Sequence, residues 1–158
     1  MNTLIRKLTV NIKPILGLTL IAASAPSFAD QCAVDIDSTD QMTFSKNTIE
    51  ISKSCKTFTI NLGHSGSMAK TVMGHNLVVS KASDQAAIAM DGMSAGVEKE
   101  YLKQGDNRII AKTKLIGAGE KTSTSFDVAK VSDGTQYVFF CSFPGHASLM
   151  RGDIRLID

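Results

Sequence analysis

Side chains with metal-binding chemistry lie close together near the C-terminal end of the chain. The run from Phe140 to Met150 contains Cys141 and His146, so that a thiol, an imidazole and a thioether are spaced five and four residues apart. A second histidine, His75, stands far upstream in the tetrapeptide Met-Gly-His-Asn. One thiolate, two imidazoles and a weak axial thioether form the mixed ligand set of blue copper electron-transfer sites. The sequence therefore predicts that these four side chains bind one copper ion that passes single electrons.

The segment between Cys141 and Met150 must fold back so that its ligand side chains face the same point. Pro144 and Gly145 favour such a turn, because proline fixes one φ angle and glycine adopts angles that are closed to other residues. Gly74 directly precedes the upstream histidine. Since it has no side chain, we expect its carbonyl oxygen to approach the metal closely.

Other functions would use parts of the same pattern. A cysteine hydrolase would use Cys141 as the nucleophile and His146 as the base. A zinc site would use the same ligands, although structural zinc prefers more Cys or His and methionine is a poor zinc ligand. A copper storage or delivery protein would need labile, exposed ligands in place of a closed loop. Because a lone histidine or methionine is more often structural, the copper prediction depends on the joint pattern.

The first 29 residues have the composition of a secretory signal. Three basic and no acidic residues are followed by an apolar run over residues 15–23, and Ser27 and Ala29 are the small residues of a cleavage site. A membrane anchor is the alternative, but a spanning helix needs about 20 apolar residues, and this run is shorter and bounded by prolines. We expect cleavage after Ala29, within a residue or two, and an exported mature domain over residues 30–158.

The charge of the mature region gives no indication of a nucleic-acid partner. The whole chain has 17 basic and 15 acidic residues, and the predicted signal removes three of the basic ones. The remaining chain has a net charge of −1, no basic stripe and no tryptophan. We therefore expect a single domain that binds neither nucleic acid nor, after cleavage, a membrane.

The chain has three cysteines, and an odd count in an exported protein leaves one thiol for another role. Cys32 and Cys55 are predicted to form a disulfide, because export favours oxidation. For a loop of this size the chain-entropy model gives roughly 3 kcal/mol of stabilisation. Cys141 would then be protected by a bound metal, whereas a bridge from Cys141 to either of the other cysteines would destroy the proposed site.

The mature region alternates short β-type runs with turn signals. Residues 56–62 have a strict period of two, and residues 136–141 form a strongly apolar run. Residues 83–102 differ, because their composition favours a short helical insert in which Ser83 or Asp84 would act as the N-cap. About eight strands at regular spacing with one helical insert favour an all-β fold, a Greek-key sandwich.

Residues 30–158 resemble the cupredoxin family of small blue copper proteins over essentially their whole length. The resemblance includes the segments around Cys55 and Asn76, the tripeptide Asp-Gly-Met at 91–93, residues 113–117 and the run 139–150. It implies an eight-stranded Greek-key β-sandwich with a helical flap. The implied ligands are His75, Cys141 and His146 in a plane, with Met150 and the carbonyl oxygen of Gly74 as long axial contacts.

The same resemblance implies roles for residues around the ligands. Asn76 would hold the two ligand segments together through loop backbone, and the backbone N–H groups of Asn76 and Phe143 would point at the Cys141 sulfur and tune the potential. Family members are monomeric carriers between c-type cytochromes and periplasmic reductases or dehydrogenases. An apolar docking patch is therefore expected around the edge of His146, formed by Met42, Met68, Val72, Met73, Met93, Phe143, Pro144 and Leu149.

Two positions depart from the relatives that the chain resembles. Leu77 follows the Gly-His-Asn motif where those proteins have tryptophan, which affects core packing and optical behaviour but not ligation. His64 lies in Gly-His-Ser-Gly where they often have His-Pro-Gly. We expect His64 to be a partly buried structural residue and not a ligand.

Overall fold

Two β-sheets form the framework of the computed structural model, which describes residues 32–158. The predicted secretory signal and the cleavage point after Ala29 lie outside the described residues. The first sheet has four strands in the order β2-β1-β4-β7, and the second has five in the order β3-β9-β8-β5-β6. The strands of the described chain are β1 Ala33–Thr39, β2 Thr43–Phe44, β3 Thr48–Ser52, β4 Thr57–His64, β5 Val78–Lys81, β6 Ala111–Lys112, β7 Lys121–Asp127, β8 Tyr137–Phe140 and β9 Arg151–Ile157.

The order of the strands shows how the chain crosses between the sheets. β1 pairs in parallel with β4, and β3 pairs in parallel with β9, whereas the other strand pairs are antiparallel. Neighbours in a sheet are therefore mostly distant in sequence, as in a Greek key. The predicted all-β sandwich is confirmed, and two of its strands, β2 and β6, are only two residues long.

The burial of β4 and β8 explains why their sequences differ. Phe58, Ile60 and Leu62 of β4 point into the core, and the residues between them face outwards. All four residues of β8 are buried, because both of its faces are covered. Tyr137 and Phe139 pack in the core between the sheets, whereas Val138 and Phe140 pack in a second apolar cluster on the other face.

The helical insert covers that second face of β8. The α-helix in it, Gln85–Ala95, packs through Ile88, and a 3₁₀ turn at Val97–Lys99 is followed by the buried Leu102. The helical insert predicted over residues 83–102 is therefore confirmed. Among residues 32–158, no helix is both long and apolar enough to cross a membrane.

The predicted N-cap of this helix is confirmed in position, but the expected side-chain hydrogen bond is absent. Asp84 stands at the N-cap position, but its side chain makes no capping hydrogen bond. N-cap residues typically have extended backbone, whereas the backbone of Asp84 is helical because the 3₁₀ turn Ala82–Asp84 leads directly into the helix. We number this helix α2, since a four-residue helix, α1 at Lys70–Met73, precedes it in the chain.

A disulfide closes one end of the sandwich. Cys32, directly before β1, is joined to Cys55, two residues before β4, with their Cα atoms 5.6 Å apart. Cys141 is the free cysteine of the described chain, and it is buried. The predicted pairing is thus confirmed, and the third thiol is left for another role.

Candidate metal centre

Separate segments bring the four predicted ligand side chains to one end of the sandwich. Cys141 directly follows β8, and His146 and Met150 lie in the loop that leads from it to β9. His75 lies between α1 and β5, where its backbone forms a two-bond antiparallel bridge with Ile116. All four predicted ligand side chains are buried, and the most exposed of them, His146, is only 3% exposed.

The spacing of the donor atoms suits a single ion. The Sγ atom of Cys141 lies 3.9 Å from Nδ1 of His75 and 3.7 Å from Nδ1 of His146. The three donors lie within 4.8 Å of one another. Zinc forms bonds of about 2.0 Å to nitrogen and about 2.3 Å to sulfur. Two such bonds at an angle of about 120° would place the nitrogen about 3.7 Å from the sulfur. The residues therefore fit one first-row metal ion, and the soft sulfur donors favour copper among them.

A backbone carbonyl orients the ring of His75. Nε2 of His75 lies 2.9 Å from the carbonyl oxygen of Thr39, which can only accept, so Nε2 carries the proton and donates it. The lone pair is then on Nδ1, the atom that faces the thiol of Cys141. A hydrogen bond of this kind fixes the tautomer and the ring direction of a metal-binding histidine.

Burial sets the protonation states of the metal-free site. Desolvation lowers the pKa of His75 to about 4 and also lowers the pKa of His146. Desolvation raises the pKa of the Cys141 thiol to about 11, partly offset by the backbone N–H groups of Asn76 and Phe143. At neutral pH both imidazoles are therefore ready to bind a metal, whereas the thiol must lose its proton when it does.

The loop from Cys141 to Met150, called the ligand loop below, is closed by its own hydrogen bonds. The N–H groups of Leu149 and Met150 donate to the carbonyl oxygen of His146 at 3.0 and 2.8 Å, and the Cys141 N–H donates to the Met150 carbonyl at 3.0 Å. Gly145 has φ = +83°, an angle that side chains rarely adopt. The glycine in this turn is therefore required, as its position in the sequence indicated.

Gly74 is required for a reason that the sequence did not reveal. Its carbonyl oxygen lies 3.9 Å from the Cys141 sulfur, so it does face the donor group. A Cβ atom at Gly74 would overlap the carbonyl oxygen of Lys70 in α1. The missing side chain thus allows α1 to pack closely against the ligand segment.

Asn76 links the two ligand segments through a fully satisfied side chain. Its Oδ1 accepts a hydrogen bond from the Ser142 N–H at 2.8 Å. Its Nδ2 donates to Ser142 Oγ at 2.8 Å and to the carbonyl oxygen of Glu100 at 3.0 Å. Because Asn76 and Ser142 each adjoin a candidate ligand, these bonds hold the segments of His75 and Cys141 together. The sequence indicated Asn76 but neither of its partners.

Met150, the fourth predicted ligand, is buried, whereas half of the residues of the predicted docking patch are exposed. Met150 is completely buried and packs with Leu115, Cys141 and Phe143. The ring of Phe143 lies 4.6 Å from that of His146, measured between centroids. Within the patch, Met68, Val72, Met93 and Leu149 are exposed, Met42, Met73 and Pro144 are half-buried, and Phe143 is buried.

His64 is buried and has a structural role next to the site. Its Nδ1 accepts a hydrogen bond from the Gly66 N–H at 2.9 Å, and its Nε2 lies 3.0 Å from the carbonyl oxygen of Met73. Its ring stacks on that of His75, with centroids 4.6 Å apart. Both ring nitrogens therefore have protein partners, in agreement with the structural role predicted for this residue.

The burial of the thiol argues against hydrolysis. Cys141 has no exposed surface and His146 has almost none, so a substrate would have no open face from which to reach the sulfur. A nucleophilic cysteine also needs an oriented substrate beside it. The geometry therefore suits a held ion and not covalent catalysis.

Comparisons with known proteins agree with this geometry. Residues 30–157 match the family described as copper binding proteins, plastocyanin/azurin family. The chain is 62% identical over 126 residues to azurin from Pseudomonas chlororaphis, covering 80% of this chain and 98% of that protein. It is 54% identical over 143 residues to azurin from Bordetella pertussis, covering 90% and 95%.

A solved structure gives the same result. The azurin Az-iso2 of Methylomonas sp. strain J has a similar fold, with a TM-score of 0.77 and 44% identity, covering 80% of this chain and 98% of that one. The two azurins are matched over nearly their whole length, the Methylomonas azurin has a similar fold, and the described chain contains a buried His-Cys-His group. The chain therefore belongs to the plastocyanin/azurin family of copper-binding proteins, as a type 1 blue copper electron carrier and not an enzyme.

Proposed function

We propose that this carrier works in the periplasm and that His75, Cys141 and His146 would hold its copper, with Met150 and the Gly74 carbonyl oxygen as weaker donors. The observation that carries the proposal is the convergence of three buried donors from two separate segments within 4.8 Å. Their thiol–imidazole distances of 3.7 and 3.9 Å suit one shared ion.

Copper bound by this set supplies a one-electron couple, since thiolate and thioether suit Cu(I) and imidazole suits both oxidation states. The protein's part is to hold the donors in place. Thr39 orients the ring of His75, Asn76 fixes the segment of Cys141, and loop hydrogen bonds hold His146. Because each donor is fixed by bonds to protein groups and is shielded from water, little has to move when the charge of the site changes.

The apolar surface around the ligand loop supports docking of a redox partner at this end of the molecule. Val72 and Leu149 are 62% and 63% exposed, and both belong to the predicted docking patch. Weak electron-transfer encounters use small interfaces that release quickly. We propose that c-type cytochromes and periplasmic reductases or dehydrogenases dock here, against a monomeric carrier.

Two features support the periplasmic location. The disulfide between Cys32 and Cys55 is of the kind that persists in oxidising compartments. Residues 1–29 have the charge, apolar run and small residues of a cleavable signal. Edman sequencing or mass spectrometry of protein recovered from a periplasmic fraction should find a chain that begins at about residue 30.

Stopped-flow mixing of the copper-loaded protein with a reduced c-type cytochrome tests the docking proposal. Leu149→Asp should slow electron transfer at least tenfold, because it places a charge in the patch. Ile157→Asp is the matched control. Ile157 is also exposed, but it lies at the end of β9 that is away from the ligand loop. Equal rates for the two variants would contradict docking at the ligand loop.

Copper storage or delivery is the competing function. Delivery needs ligands that a recipient protein can reach, and the burial of all three donors disfavours it. Isotopic exchange of bound copper should be far slower than electron exchange with the cytochrome. Copper exchange as fast as electron exchange would favour delivery.

A further inference from the structure

A sharp corner at Glu100 and Tyr101 lies between the helical insert and the metal centre. The backbone of both residues is in the left-handed conformation, with φ angles of +57° and +54°, a region that bulky residues rarely occupy. The corner follows the 3₁₀ turn Val97–Lys99, and its N–H groups donate to the carbonyl oxygens of Val97 and Gly96 at 2.8 and 3.0 Å. Glycine would adopt this backbone more readily at either position.

The backbone of this Glu100–Tyr101 corner contacts one side of the metal centre. The carbonyl oxygen of Glu100 accepts the hydrogen bond from Asn76 Nδ2 at 3.0 Å, and Asn76 in turn binds Ser142. The Glu100 carboxylate accepts a hydrogen bond from the Leu115 N–H at 3.2 Å. The left-handed turn therefore directs a carbonyl at the asparagine that links the two ligand segments.

The side chain of Tyr101 contacts the other side. Its ring meets the ring of Phe143 edge to face, with centroids 5.0 Å apart and planes at 71°. Phe143 lies against His146 with centroids 4.6 Å apart. Edge-to-face pairs at such distances are favourable beyond the area that they bury. Tyr101, Phe143 and His146 thus form a continuous line of rings that ends at a proposed ligand.

The helix α2 of the helical insert packs against the Glu100–Tyr101 corner and holds it in place. A Cβ atom at Gly92 of α2 would overlap the carbonyl oxygen of Tyr101, so helix and corner are in direct contact. Leu102, the next residue, is buried with Ile88 of the same helix. The corner cannot move away from Phe143 without disturbing this packing.

We propose that Tyr101 is a positioning residue for the metal centre, whose ring fixes Phe143 and, through Phe143, the imidazole of His146. This inference rests on the proposed role of His146 as a copper ligand. It explains why a bulky side chain occupies a left-handed position, because the backbone that presents the ring to Phe143 also directs the Glu100 carbonyl to Asn76.

Three substitutions separate positioning from folding. Tyr101→Phe keeps the ring, Tyr101→Leu removes it, and Tyr101→Gly removes it while relieving the left-handed backbone. Val97→Ala is the control, because Val97 is an exposed residue of the preceding turn. NMR of the metal-free protein would measure the nuclear Overhauser effect between the Phe143 and His146 rings, together with the flip rate of the Phe143 ring.

We expect Tyr101→Phe and Val97→Ala to match the wild type. Tyr101→Leu and Tyr101→Gly should weaken the Overhauser effect several-fold, speed ring flipping and, after copper loading, shift the reduction potential. The glycine variant keeps the test decisive if the leucine variant fails to fold. If a folded variant without the Tyr101 ring kept the same ring contacts and the same reduction potential, the proposal would be overturned. If the wild type formed no blue copper complex, the proposed ligands would be refuted, but the role of Tyr101 in the metal-free protein would not.

Discussion

The two ends of the sandwich are held together in different ways. At the start of β1 and β4, Cys32 and Cys55 are joined by a covalent bond across 23 residues. At the other end of β4, eight residues or about 26 Å further along, lies the metal centre. There, Cys141 and His75 are 66 residues apart in sequence, and the metal-free protein holds them together without a covalent bond, by hydrogen bonds and side-chain packing.

The two ends also differ in how many polar side chains they bury. Of the eight buried polar residues in the described chain, five lie at the metal end: His64, His75, Asn76, Ser142 and His146. No buried side-chain nitrogen or oxygen among residues 32–158 lacks a hydrogen-bond partner. The metal end is therefore already built before an ion binds. We therefore expect that loss of the disulfide changes stability alone, whereas changes at the metal end alter copper binding and, where a buried group is lost, stability as well.

Replacing the thiol at the metal end should have the largest effect. Cys141→Ser removes the sulfur that gives blue copper sites their intense colour, and we expect that colour to be lost completely. The fold should persist, because the backbone of β8 and the bonds between Asn76 and Ser142 remain. Visible absorption and circular dichroism check both statements. A variant that stays equally blue would refute the ligand assignment.

Replacing the buried thioether should affect stability and function together. Met150→Ala leaves a cavity, which costs about 2–5 kcal/mol of unfolding free energy. The variant should keep copper, shift its reduction potential and bind added axial ligands such as azide more tightly. Met150→Leu conserves volume and should cost less than about 1.5 kcal/mol while still shifting the potential. Chemical denaturation and redox titration measure the two effects, and unchanged potentials in both variants would exclude Met150 as a ligand.

Removing the disulfide should change stability alone. In the double variant Cys32→Ala and Cys55→Ala, the unfolding free energy of the metal-free protein should fall by roughly 3 kcal/mol, because the unfolded chain gains freedom. The visible spectrum of the copper form should not change, since the bridge is at the far end of β4. Loss of colour in the folded double variant would show that the two ends are not independent.

Removing the link between ligand segments should have the smallest effect. Asn76→Ala leaves the Ser142 N–H and the Glu100 carbonyl without their partner, which costs about 1–3 kcal/mol. Copper affinity should fall about 10- to 100-fold, the usual cost of losing a group that orients a ligand. Asn61→Ala is the control, because the Asn61 bond to Asp35 is exposed. Equal losses for the two variants would contradict a special role for Asn76.

Much of the fold, and the grouping of His75, Cys141 and His146, could be predicted from the sequence. Cysteine, histidine and methionine reveal their chemistry by residue type, and the period of two in residues 56–62 defines β4. Confirmation of the disulfide leaves Cys141 as the free thiol, as expected.

What could not be predicted depends mostly on backbone. Thr39 and Glu100 act on the site through carbonyl oxygens, which every residue has, so no residue type indicates them. The helix α1 is four residues long, too short for a periodic pattern, and its packing on Gly74 was therefore hidden. The left-handed backbone of Tyr101 is imposed by tertiary contacts, against the preference of the residue itself.

The visible absorption spectrum of the copper-loaded mature protein, followed through one cycle of reduction and reoxidation, tests the central claim most directly. An ion bound between the Cys141 sulfur and two imidazoles should give an intense blue band that disappears on reduction and returns in full on reoxidation. A colourless complex, or a colour that does not respond to reductant, would contradict a copper electron carrier built on these ligands.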